Sequence, residues 1–349
     1  MNAVQQRSRR SLRSTANLSA NDINLMNQNE GYDQSYYNEL TESRIIYEQP
    51  DIKFRPLPFY DKIDDLLKPA GLISDGIVHR KNDSTVEFKL TIDQADLIAM
   101  NPRTKHIILR FCYLDTTGEQ DDNFPPDVTV LVNGVNVPLP PAISNPNRPN
   151  VPPKRPGQHV DITRLCKICP LVQNVIDIKW FVDPTEPSRS YVVTVMVAEK
   201  VGTDTLIQRI LERGHSDPEL TKKLILDSDT EVATTNLQSS LLCPLGKMRM
   251  TLPCKSVECK HIPCFDALIY LQLNEKKASW ICPVCYKPAY FPDLVIDGFF
   301  KEILESAAPN VTEVTLHLDG TWSPVLKLEQ PVSAKNPAPE VITISDDDD

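Results

Sequence analysis

Between Cys243 and Cys285 the chain reads Cys243-x10-Cys254-x4-Cys259-x-His261-x2-Cys264-x17-Cys282-x2-Cys285. Thiolate and imidazole are the donors Zn²⁺ prefers, and a closed tetrahedral site takes four of them. Cys259 and His261 share one turn, and Cys282 with Cys285 forms a C-x2-C knuckle further on. These four make a complete set, so the pattern predicts one zinc per chain. Cys243, Cys254 and Cys264 are read as buried thiols. A rival set drawing on Cys254 or Cys264 would leave the Cys282/Cys285 knuckle one ligand short.

The ligand order is that of the second site in a cross-braced RING. A full RING would carry another C-x2-C before this set and one more after the His. Here the partner of Cys243 falls at Gly246 and that of Cys264 at Ala267, and neither binds metal. Hydrogen bonds and packing must then do what the first zinc would have done.

Elements around the cluster have to hold these loops. Phe265–Asn274 has helical periodicity between the two ligand pairs. Asp293–Ser306 reads as an amphipathic helix with Leu294, Val295, Phe299, Ile303 and Leu304 inward. Val314–Leu318, Asp319-Gly320 and Trp322–Leu326 suggest a closing hairpin. Upstream, Thr203 or Asp204 caps a helix through Leu206, Ile207, Ile210 and Leu211 that Gly214 stops, and Asp217-Pro218 opens a second through Leu224–Leu226. From about 50 to 201 the pattern is β: apolar and β-branched runs appear at Val86–Ile92, His106–Leu114, Val128–Leu139, Val175–Val182 and Tyr191–Val201. Asn133-Gly134 marks a tight hairpin. Eight prolines from Pro138 to Pro156 make a long, stiff loop, the kind of element that carries binding on a β scaffold.

The bulk numbers narrow the class. At 349 residues, 41% hydrophobic and 24% charged, the chain can bury a core and hold two or three domains. No apolar run reaches the roughly 18 residues of a membrane span, and the first residues lack a signal peptide's apolar stretch, which leaves the cytosol or nucleus. Nine cysteines, an odd number, argue against a complete disulfide framework and for clustered thiols on metal in a reducing compartment. The net charge of -10 gives the whole molecule no electrostatic attraction to nucleic acid.

The fold class is therefore α+β and multidomain. Residues 1–48 are a polar segment read as disordered, in which Arg7, Arg9, Arg10 and Arg13 are a nuclear localisation signal or a solvated basic patch. A β-rich domain follows over 49–201, a helical linker over 202–236, the zinc domain over 237–290, its helix and hairpin extension over 291–328, and a tail over 329–349. The end at Asp349 is read as that of a fragment or short isoform.

Ser240-Leu241-Leu242-Cys243-Pro244-Leu245-Gly246-Lys247-Met248-Arg249, Cys259-Lys260-His261, Asn274-Glu275-Lys276-Lys277 and Trp280-Ile281-Cys282-Pro283-Val284-Cys285 resemble the SP-RING of Siz/PIAS proteins. Pro50–Asp61 resembles the opening of that family's PINIT domain, whose pentapeptide corresponds to His159-Val160-Asp161-Ile162-Thr163, with only the last two letters kept. The family usually begins with a DNA-binding helix pair. Residues 1–48 show no such periodicity, so DNA binding is not carried over.

The resemblance implies a nuclear SUMO-protein ligase acting in transcription or chromatin regulation, a scaffold with no covalent intermediate and no catalytic side chain of its own. It implies as partners a SUMO-conjugating enzyme, SUMO and protein substrates, nuclear or chromatin-bound, with no membrane. Leu245, Pro283 and Val284 would form the groove for the conjugating enzyme, although Leu245 also reads as a core residue. The extension would touch donor SUMO, and the β-rich domain would hold substrate. Val341, Ile342 and Ile344, followed by Asp346 and Asp347, resemble a SUMO-interacting motif: β-branched residues favour an added strand and the acid run would steer it. The other readings are a solvated acidic tail for 341–349 and, for the chain, a ubiquitin ligase or a non-enzymatic transcriptional adaptor.

Overall fold

A computed structural model describes residues 51–325 apart from 75, 79–80, 145, 148–152 and 229–236. The segment 1–48 and the tail motif Val341, Ile342, Ile344, Asp346 and Asp347 lie outside the described residues.

The N-terminal domain is built from two antiparallel four-stranded sheets. Its elements are β1 (Lys53–Phe54), β2 (Tyr60–Leu72), β3 (Lys81–Phe88), helix α1 (Ile92–Met100), β4 (Lys105–Tyr113), β5 (Glu119–Gln120), β6 (Thr129–Val132), β7 (Val135–Asn136), β8 (Val160–Asp161), β9 (Asn174–Phe181) and β10 (Tyr191–Lys200). One sheet has the order β2-β10-β4-β8 and the other β3-β9-β6-β7, with β1 and β5 a small parallel pair. Leu109 and Phe111 of β4 and Val193, Val195 and Val197 of β10 meet Val130 of β6 and Ile176, Ile178 and Trp180 of β9 in one core. The alternation of β9, buried at every second residue, follows from one face being in that core.

Strand β10 is buried at every residue from Tyr191 to Ala198. Its second face, with Val192, Met196 and Ala198, is covered by Ile52, Leu57 and Tyr60 from the chain's entry into the domain, which is why the sequence there is a continuous apolar run. Asn133 and Gly134 adopt φ of 52° and 81°, the paired left-handed residues of a hairpin turn.

Two elements of this β domain differ from expectation. The run beginning at Val86 stops at Phe88, because Thr91 starts helix α1: its hydroxyl accepts the Gln94 N–H and Gln94 Oε1 accepts the Thr91 N–H in return, a reciprocal cap. Strand β2 escaped notice because it lies on the edge of its sheet, where Lys62, Asp64, Asp65, Lys68 and Pro69 are tolerated and no apolar pattern is needed.

The C-terminal unit contains α2 (Thr203–Glu212), α3 (Pro218–Ser228), β11 (Leu237–Ser240), β12 (Pro253–Ser256), β13 (Phe265–Asp266), α4 (Ala267–Lys276), β14 (Leu294–Ile296), α5 (Gly298–Ser306), β15 (Glu313–Leu316) and β16 (Trp322–Pro324). Helices α2 and α3 are not a free linker: Leu206, Ile207, Ile210 and Ile225 share a core with Cys259, Phe265, Cys282, Phe299 and Val314. Gly202, not Thr203 or Asp204, is the N-cap of α2, and Gly214 at φ 82° ends that helix. Leu211 and Leu226 face solvent.

The helix expected over Asp293–Ser306 begins later. Residues Leu294–Ile296 are a strand paired with β12, and Asp297 then caps α5 by accepting the Phe300 N–H at 2.9 Å. The fully buried Asp297 also lies 2.7 Å from Lys255 Nζ and accepts the Thr221 hydroxyl at 2.6 Å. The triad ties α3, β12 and α5 together, a buried charge stabilised by a partner and a hydrogen bond. The hairpin β15–β16 forms as expected and gains β11 as a third strand.

Candidate metal centre

Cys259, His261, Cys282 and Cys285 converge, their ligand atoms all within 4.8 Å of one another. Cys259 Sγ and Cys285 Sγ are 3.9 Å apart, and His261 Nε2 is 3.2 Å from Cys282 Sγ. These separations suit a metal at the centre of a tetrahedron with Zn–S of about 2.3 Å and Zn–N of about 2.0 Å. The His261 Nδ1–H donates to the Pro263 carbonyl at 2.9 Å, which fixes the ring and turns Nε2 toward the sulfurs, the outer support common to metal-bound imidazoles.

Burial, together with the neighbouring Cys282, pushes the Cys259 thiol up to about 12. Burial also holds His261 below its ordinary value, in the neutral form that ligates. Burial works to raise Cys285 as well, but the Lys287 N–H and the Cys282 and Cys259 thiols outweigh it and the value falls. A cation would oppose the burial, and its binding would release thiol protons, so affinity must weaken as pH falls. No other cluster of possible metal ligands occurs among the described residues.

The knuckle has a counterpart outside the Cys/His cluster. In the ligand knuckle, the Tyr286 N–H donates to the Cys282 carbonyl, the Cys282 N–H to Lys287, and the Ala289 N–H to Trp280, with Tyr286 at φ 59°. In the segment Leu241–Met250, the Lys247 N–H donates to the Cys243 carbonyl, the Cys243 N–H to Met248, and the Met250 N–H to Leu241, with Lys247 at φ 54°. The two turns are the same object, one with Cys285 at its fourth position and one with Gly246.

Side chains fill the space beside Gly246. A Cβ built on Gly246 would come 2.4 Å from the Ile269 Cδ1, so Ile269 fills the space a cysteine would use. Cys243 accepts the Asp266 N–H on sulfur at 3.3 Å. The Asp266 carboxylate accepts the N–H and hydroxyl of Thr251 and the N–H of Leu252 on one oxygen, and the Leu268 and Ile269 N–H groups on the other. One carboxylate thus caps α4 and clasps the 251–252 loop.

Cys243, Cys254 and Cys264 are buried and lie outside the four-ligand group. Leu245 and Val284 hold matching positions in the two knuckles, each half-buried with Pro283 beside the second. Arg249 joins this surface to the extension by donating to the carbonyls of Leu304 and Ala307 at the end of α5 and of Val311 in the connection that follows. The Asp266 clasp was missed in the sequence, where Asp before an apolar helix was the available signal.

The PINIT domain family matches residues 51–199, and the MIZ/SP-RING zinc finger family matches 239–288. The chain is 38% identical over 290 residues to human E3 SUMO-protein ligase PIAS2, covering 79% of this chain and 46% of that one. It is 36% identical over 294 residues to mouse E3 SUMO-protein ligase PIAS4, with 81% and 56% covered. The chain spans about half the length of the curated relatives it matches. Among solved structures it is similar to the S. cerevisiae SUMO E3 ligases SIZ1, with TM-score 0.60, 23% identity and 82% and 98% coverage, and SIZ2, with TM-score 0.58, 25% identity and 77% and 98% coverage.

Proposed function

The chain belongs to the Siz/PIAS family, and on that premise we propose that it is a SUMO-protein ligase holding one structural zinc on Cys259, His261, Cys282 and Cys285. The observation that carries the reading is the pair of matched knuckles, one with a complete donor set and one closed by Asp266 and Ile269, on a unit joined to a β domain. Bound zinc would supply no reactive centre; it would lock the ligand loops. This chain's residues bind and orient. A substrate lysine amine attacks the thioester carbonyl between SUMO and its conjugating enzyme, the isopeptide C–N bond forms, and the C–S bond breaks to release the enzyme's thiol. Holding amine and thioester together can remove several kcal/mol of barrier. Leu245, Pro283 and Val284 receive the conjugating enzyme, the β domain holds a nuclear or chromatin substrate, and Val341, Ile342, Ile344, Asp346 and Asp347 bind SUMO. Nuclear location and a role in transcription regulation belong to the same reading. Among the described residues no helix is long and apolar enough to cross a membrane.

A reconstituted conjugation reaction offered SUMO or ubiquitin tests it: acceleration with SUMO alone is expected, and acceleration with ubiquitin alone, or with neither, overturns it. Leu245→Ala should weaken the conjugating enzyme's binding by about 1–2 kcal/mol, the loss of an apolar interface anchor. A titration of the enzyme against the variant, beside a thermal melt, checks this. Normal binding with an early melt would assign Leu245 to the core alone.

Changing Val341, Ile342 and Ile344 together to Ala should remove SUMO binding by the tail and slow ligation without stopping it. Three buried aliphatics offer roughly 5–9 kcal/mol gross, and ordering the segment removes about 2–5 of that, leaving a contact of micromolar order or weaker. A labelled 336–349 peptide titrated with SUMO decides the point, and no binding at millimolar SUMO returns the tail to a solvated acidic run.

A further inference from the structure

The short stretch Arg55–Asp61 of the β domain grips the C-terminal unit at three points. Phe59, only 8% exposed, buries its ring in the C-terminal core, its centroid 6.2 Å from that of Trp280. Two residues on, the Asp61 carboxylate accepts hydrogen bonds from both terminal nitrogens of Arg209 on α2, at 2.9 and 2.6 Å. Arg55, paired with Asp121 and Glu119 of its own domain, lies 4.0 Å over the Tyr290 ring.

Trp280 is itself fixed. Its backbone sits at φ 50°, its N–H donates to Asn274 Oδ1 at 2.8 Å, its carbonyl accepts the Ala289 N–H at 2.7 Å, and its ring packs on Tyr270 at 6.0 Å. Cys282, a member of the metal cluster, follows two residues later. A ring of the β domain therefore rests on the residue that leads into the zinc knuckle. An apolar contact of this kind still permits rotation, whereas the planar fork between Asp61 and Arg209 has one preferred direction. The pair is solvent-accessible, with side chains 47% and 37% exposed, so it contributes little to stability and its effect is on angle.

We propose that Phe59, Asp61, Arg209 and Trp280 are positioning residues that fix the β domain's orientation on the zinc module. Resting on the ligase reading above, the bracket decides which lysines a molecule held by the β domain presents to the thioester. None of the four touches the reacting atoms.

The test uses the full chain with Asp61→Arg and Arg209→Asp, alone and together, beside Phe59→Ala. In X-ray scattering, each single variant should show a broadened distribution of interatomic distances while retaining its zinc, and the double charge swap should restore the wild-type curve. In the reconstituted reaction, discharge of the SUMO thioester onto free lysine should be unchanged in the single charge variants. The share of SUMO on individual lysines of the chain's own β domain should shift by about threefold or more, as effective concentrations change with domain freedom, and return in the double swap. Scattering curves of the single charge variants that superimpose on wild type would overturn the bracket, as would an unchanged lysine distribution, or single-variant losses that the double swap fails to restore. If the wild-type chain discharges no thioester, the ligase reading fails, and scattering still decides the bracket.

Discussion

Replacing Cys282 by Ser should unfold the C-terminal unit and abolish ligation. Cys282 is fully buried, its sulfur lies 3.2 Å from His261 Nε2, and it belongs to the same core as α2, α4 and α5. Structural zinc is worth on the order of 10 kcal/mol or more of apparent binding energy, comparable to the whole stability of an ordinary domain at about 5–15 kcal/mol. Three remaining ligands would leave the cluster weak and its loops unheld. Elemental analysis of the wild type should give one zinc per chain and the variant none, with loss of the cooperative melt. Two zinc atoms per chain would contradict the ligand assignment.

Asp266→Ala should be among the costliest substitutions outside the cluster, because its carboxylate serves Thr251, Leu252, Leu268 and Ile269 at once. A fully buried donor left without an acceptor costs about 1–3 kcal/mol, and these part-buried donors cost less each. Partial relaxation at the helix end brings the expected total to about 3–5 kcal/mol, at the upper end for single substitutions. Asp266→Asn keeps one acceptor oxygen and should lose about half as much. Denaturant midpoints of zinc-saturated protein check the order. A variant as stable as wild type would mean that Ile269 packing alone closes the knuckle at Gly246.

The convergence of Cys259, His261, Cys282 and Cys285 was legible because ligand chemistry fixes spacing: two donors sharing a turn and two in a C-x2-C knuckle make one set. The lack of a metal-binding side chain at Gly246 and Ala267 was equally plain. What fills the space beside Gly246 was not, since Ile269 and Asp266 reach it through the fold of α4 and not through proximity in sequence. The same limit hid the Asp61–Arg209 pair, whose members lie in different domains. Edge strand β2 carries no apolar pattern because only part of it meets the core, and the apolar run Leu294–Ile296 passed for helix because three residues cannot separate the two periods.

The most direct test of the central claim is single-turnover discharge of a SUMO-charged conjugating enzyme onto free lysine, with zinc-loaded wild-type chain and with Cys282→Ser. The account predicts faster discharge with wild-type chain than without it, and no acceleration by the variant. A discharge rate unchanged by folded, zinc-loaded wild-type chain would contradict it.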